Sequence, residues 1–167
     1  MVKTTFEPRK LAQNIPAEEL INLLPHKGKM FLLDHLTAHD TVARTLESES
    51  LVTKNHIFYD EDLDGIPSHV AFELIAQSIS ALSGVTGCER GEPAKPGFLL
   101  SIQNYHATVD RFKVGTSVHV AIKKIDELEN MMTYSGIAYS SEKPDVPAVE
   151  TVITVMETTD LTILGEK

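Results

Sequence analysis

Cysteine is nearly absent from this chain: one residue, Cys88, in 167. A single thiol rules out an internal disulfide framework and any multi-cysteine zinc cage, and Cys88 itself reads as an inert thiol. Basic residues are outnumbered, 15 Lys and Arg against 24 Asp and Glu. The resulting formal charge of −9 argues against nucleic acid as the main partner, because phosphate binding needs a basic face. No apolar run in the sequence approaches a bilayer span, and residues 1–7 lack the apolar core of a secretory signal. A cytoplasmic location is therefore expected. Repeats and low-complexity tracts are missing, as are a glycine-rich phosphate loop and a Gly-x-Ser-x-Gly elbow. Asp60, Glu61, Asp62 and Asp64 are cation-friendly but lack the spacing of a calcium loop, so they read as a solvated acidic loop. No metal and no cofactor are expected.

What remains is ordinary globular composition, 42% apolar and 23% charged, in a chain long enough for one domain over 1–167 with a sizeable core. Its most informative stretch is 65–84. Val70, Ala71, Phe72, Leu74, Ile75, Ala76, Ile79, Ala81 and Leu82 leave no broad solvated face, so a helix here must be buried. His69, Glu73, Gln77 and Ser80 fall at helical spacing and form one polar line along it. A carboxylate there is costly unless paired, hydrated or used, which singles out Glu73. The flanking pattern predicts a short helix over 15–25, a strand over 41–50, a central helix over 66–84 capped by Gly84, and a linker from Gly87 to Gly97. Strands at 98–105, 117–125, 131–140 and 146–157 then form an antiparallel meander filling 97–158. The layout is α+β, one long buried helix wrapped by a curved antiparallel sheet. A sheet with a helix in its palm leaves one flank poorly covered, so a homodimer is expected.

Four motifs in order carry a family resemblance. Leu24-Pro25-His26 closing in Phe31-Leu32-Leu33-Asp34 resembles the opening motif of the 3-hydroxyacyl-acyl-carrier-protein dehydratases. Residues 67–77, ending in Glu73-Leu-Ile-Ala-Gln77, resemble their central helix. Residues 96–104 are similar to their third strand, and 111–117 to the turn after it. The branch most like this chain is the dehydratase-like proteins of aryl-polyene and related acyl-chain clusters. The resemblance implies the hotdog fold and a dimer with acyl sites at the subunit interface. It also implies an acyl carrier protein as partner, in fatty-acid-like or polyene chain synthesis. One departure stands out. The family's catalytic His lies fourteen residues before the helix acid, in a His-Phe-Pro-Gly run; here that count lands on Tyr59, and the run is missing.

Dehydrating a 3-hydroxyacyl thioester needs a base for the C2 proton, an acid for the leaving hydroxyl and donors for the thioester oxygen. Glu73 fits the acid by position and by burial, which raises a carboxyl pKa. Backbone N–H groups at the helix start, near Gly65 to Val70, are expected to hold the thioester oxygen, and Gly65, Pro67, His69, Val70 and Gln77, with Phe98 and Leu99 on the third strand, form the expected substrate-binding set. The base is open between His26, His56 and His69, with His26 preferred over His56 because its match needs no insertion. Lys27, Lys29, Arg111 and Lys113 are the cations available to an acidic carrier protein. Two other functions fit the same pattern: an acyl-binding scaffold subunit that pairs with an active dehydratase, and an acyl thioesterase on the same fold.

Overall fold

The computed structural model describes residues 7–160. Ile15–Pro16 forms a two-residue strand, β1, running directly into a one-turn helix, α1 (Ala17–Leu20). Helix over the whole of 15–25 is therefore not what forms. Leu20 and Leu24 are buried, and the Lys27 ammonium donates to the carbonyls of Ile21 and Leu24, satisfying groups that an early helix end leaves open. Strands β2 (His35–Asp40) and β3 (Thr45–Leu51) pair antiparallel. Between them the Asp40 carboxylate accepts the N–H groups of Val42 and Ala43, which holds its pKa below the usual range, and Arg44 closes the turn at φ 57°. That side-chain turn is why the expected strand begins at Thr45 rather than at 41.

A three-residue strand, β4 (Gly65–Pro67), leads through a 3₁₀ turn (Ser68–Val70) into the long helix α2 (Ala71–Arg90). The helix passes straight through Gly84, the expected cap. A Cβ there would sit 2.1 Å from the Leu23 carbonyl oxygen, so this glycine serves close packing of chain on helix, not termination. The real cap is Gly91, in the left-handed conformation at φ 68°. With its 3₁₀ turn the helical run spans 23 residues and is long and apolar enough to cross a membrane, contrary to the reading from runs of sequence. It is instead mostly buried within the protein, its apolar side chains against the sheet.

The C-terminal half supplies β5 (Gly97–Ala107), β6 (Arg111–Lys113), β7 (Ser117–Leu128), β8 (Met131–Ser140) and β9 (Pro147–Glu157). Strict alternation of buried and half-exposed residues along β8 is the period-two pattern of a sheet with one covered face. The seven-stranded antiparallel sheet runs β1-β2-β3-β7-β8-β9-β5, and β4 with β6 forms a separate pair. The last four long strands are thus not a simple meander. β7, β8 and β9 are sequential neighbours, but β6 peels away to β4, and β5 joins the far edge beside β9. Leu74, Ile75, Ile79 and Leu82 of α2 share the core with Val118, Val120, Ile122 and Ala138 of the sheet. Each of these Leu, Ile and Val side chains stabilises the fold by about 1.5–3 kcal/mol. Ser78, polar on this face, is satisfied by Ser48 Oγ and the Leu74 carbonyl, both at 2.8 Å.

Candidate active site

His26 and Glu73 come together. The turn after α1 carries His26 over the first full turn of α2, and its Nε2 lies 3.9 Å from Glu73 Oε1. The Glu73 side chain is 20% exposed, so it stands at a cleft mouth rather than sealed in the core. Gln77, one turn on, donates from Nε2 to Glu73 Oε1 (3.1 Å) and to the Met30 carbonyl (2.7 Å). Its Oε1 accepts the Leu32 N–H at 3.0 Å. Gln77 is fully buried and its amide is spent on these bonds. It positions Glu73 and pins the 30–32 segment, and it does not face the cleft.

The cleft encloses about 160 Å³ between α2, β5 and β9. Glu73, Ala76, Ser80 and Ser83 line it at i, i+3, i+7 and i+10, one face of the helix. Leu99, Val155, Lys95 and Glu157 close the other wall. Strand alternation brings Leu99 to this wall and turns its neighbour Phe98 away, so of that expected pair only Leu99 lines the site. Sequence reading missed Ala76 and Ser83, although their helical spacing from Glu73 was a usable signal. Lys95, Val155 and Glu157 had none, because only strand pairing brings β9 beside β5.

The helix start differs from expectation. Gly65 gives its N–H to the Asp60 carbonyl, Ser68 gives its own to Asp110, and Pro67 has none. The Gly65 and Ser68 amides can hold a substrate oxygen only by breaking these bonds, and Pro67 has no donor to offer. Tyr105 ties the same turn by donating to the Ser68 carbonyl at 2.7 Å, and burial pushes its phenol up to about 12. His69 and Val70 sit on this turn and outside the cleft lining. Glu73 finds its partners in His26 and Gln77 rather than in His69.

His56 lies in a different pocket, with Asp34, Leu51, Thr53 and Ile57. Its Nδ1 accepts the Phe58 N–H at 3.1 Å, while its buried Nε2 has no partner among the described residues. Burial lowers its pKa, and the nearby Asp34 charge opposes that only in part. One protomer therefore does not bring His56 to Glu73. Of the four cations expected at the surface, Lys27 is spent on the Ile21 and Leu24 carbonyls after α1 and Arg111 on the Leu63 carbonyl. Lys29 and Lys113 remain exposed. Among the described residues no three His, Cys, Asp or Glu side chains are grouped to hold a metal ion.

Residues 18–164 match the ApeP-like family, described as ApeP dehydratase. No curated protein matches the sequence. Among solved structures, the dehydratase heterocomplex ApeI:P from Xenorhabdus doucetiae superposes with a TM-score of 0.77 at 19% identity, covering 88% of this chain and 97% of that one. An uncharacterised Pyrococcus horikoshii protein, PH1136, gives 0.61 at 10% identity, over 93% of this chain and 98% of that one. A hypothetical thioesterase with coenzyme A from Streptococcus pneumoniae gives 0.53 at 9% identity, over 70% and 80%. At these identities the likeness speaks to fold alone, and that fold is the hotdog.

Proposed function

The chain belongs to the ApeP-like dehydratase family, and from that premise we propose that it removes water from 3-hydroxyacyl thioesters carried on acyl carrier protein. The setting is cytoplasmic synthesis of fatty-acid-like or polyene chains. One observation carries the reading: His26 Nε2 approaches Glu73 Oε1 to 3.9 Å at the mouth of a largely apolar cleft. Neutral His26 takes the C2 proton through Nε2. The C–H electron pair becomes the C2=C3 bond, and the C3–O bond breaks as the Glu73 carboxyl protonates the leaving hydroxyl. The products are an enoyl thioester and water. Imidazolium and carboxylate are left facing each other, so a proton passed from His26 to Glu73 restores the starting state. Lys29, exposed on the turn after His26, is the cation that fits an acidic carrier at the cleft mouth.

Glu73→Gln tests this directly. The amide keeps the shape but cannot protonate the hydroxyl, and loss of a positioned acid costs on the order of 10²–10⁴ in rate. A folded Glu73→Gln protein that still binds acyl thioesters is expected to form enoyl product at least about a hundredfold more slowly. Wild-type protein that releases free thiol instead supports the thioesterase reading. Wild-type protein that binds carrier yet yields neither product supports the scaffold reading, in which a related hotdog subunit supplies the chemistry. The open β5 edge beside the cleft favours a paired assembly in every case.

A further inference from the structure

The central helix starts without a side-chain cap of its own. Pro67 stands before the 3₁₀ turn and Val70 before α2, and neither side chain can bond an open amide. The entry is gripped from outside instead, by groups from one stretch, 105–113. Ser68 is held by both of its backbone groups. Its N–H donates to the Asp110 carbonyl at 2.9 Å, and its carbonyl accepts the Tyr105 hydroxyl at 2.7 Å. Just before it, Gly65, Ile66 and Pro67 pair with Lys113, Phe112 and Arg111.

Tyr105 lies beside a bulge in β5. Gln103 pairs with Val152 and His106 with Glu150, so β5 holds one residue more than β9 across this step. Asn104 takes up the extra length at φ 52°, a conformation asparagine tolerates better than most residues. A bulge re-aims the side chains next to it. Here the half-buried Tyr105 ring packs against the core and carries its hydroxyl to the helix entry. Burial raises the phenol to about 12 against the pull of the Phe72 backbone N–H, so it stays a donor at neutral pH. Phe72 is the residue before Glu73 in the first turn of α2.

We propose that Tyr105 is a positioning residue for the elimination: by fixing Ser68 it sets the height and rotation of the first turn of α2, and so where the Glu73 carboxyl stands against His26. The role rests on the chemistry at His26 and Glu73 proposed above. Gln77 anchors the helix one turn later, through the Met30 carbonyl and the Leu32 N–H. Glu73 thus lies between two anchors, Ser68 before it and Gln77 after it. With the Tyr105 hydroxyl gone, the turn carrying Glu73 is free to pivot about the Gln77 anchor. Such a pivot displaces the acid and leaves the cleft walls that bind the acyl chain where they are.

Tyr105→Phe keeps the ring and its packing and removes the hydroxyl alone. Enoyl formation from a 3-hydroxyacyl carrier thioester is followed, with circular dichroism and native mass confirming fold and assembly. The kcat should fall about tenfold at unchanged KM and unchanged equilibrium binding, because a misplaced acid costs rate and not ground-state binding. p-Aminophenylalanine installed at position 105 returns a donor to the same spot and should restore most of kcat. The decisive readout is a double-mutant cycle with Glu73→Gln. A tyrosine acting through the Glu73 carboxyl costs nothing further once that carboxyl is an amide. A merely structural tyrosine lowers kcat by the same factor in both backgrounds. A Tyr105→Phe protein as fast as wild type, or an equal loss in both backgrounds, overturns the positioning role and leaves the elimination standing. Wild-type protein without turnover overturns the elimination and this role with it.

Discussion

A half-buried imidazole whose Nε2 has no partner among the described residues leaves a mark on the acid limb of stability. His56 has its pKa lowered by burial, so near neutral pH the folded chain binds fewer protons here than the unfolded chain does. Stability therefore rises with pH through this group. Its penalty sets in as pH falls through the unfolded value of about 6.5 and levels off below the lower folded value. Wild-type protein should lose stability between about pH 7 and 5 more steeply than His56→Gln does. Urea melts across that range measure the difference, and parallel curves would place His56 in ordinary solvated surroundings. The sequence offered His56 as a base candidate through loop position alone. Its ring nitrogen is spent on Phe58 N–H and its pocket is not the one holding Glu73, facts set by loop conformation.

Helix α2 shows how one element can be legible in character and misread in extent. Apolar residues all round predicted its burial, and the cost of a carboxylate on it picked out Glu73. Gly84 and Gly87 then looked like an ending, because glycine most often stops a helix. In the fold Gly84 is where the Leu23 backbone crosses the helix. Gly84→Ala sets a propensity gain of about 1 kcal/mol against a Cβ driven into a carbonyl oxygen. The clash wins, since rigid backbone cannot rotate aside as a side chain tip can. A net loss of about 2 kcal/mol is expected by chemical denaturation. A gain in stability would mean that the 20–24 segment is not held against the helix.

At the scale of the molecule, one edge of the sheet is left open among the described residues. β5 is eleven residues long, pairs only with β9 among them, and exposes Leu99, Leu100 and Ile102. A long apolar edge of this kind seeks a strand from another chain. Because Leu99 also lines the cleft, assembly and site share a wall. Native mass spectrometry at micromolar concentration is expected to give the mass of two chains, and Leu100→Lys with Ile102→Lys the mass of one. A wild-type monomer would exclude pairing through this edge. A homodimer and a pair with a related hotdog subunit both satisfy the edge, and co-purified mass separates them. Period-two and helical patterns in the sequence determined the α+β class, the buried helix and Glu73, since each is set by residues a few positions apart. The Leu-Pro-His run added His26 by resemblance. The wall formed by Val155 and Glu157 and the spent amides of Gly65 and Ser68 were decided by tertiary structure alone. Each depends on strand order and loop path, which join residues tens of positions apart and leave no periodic trace in the chain.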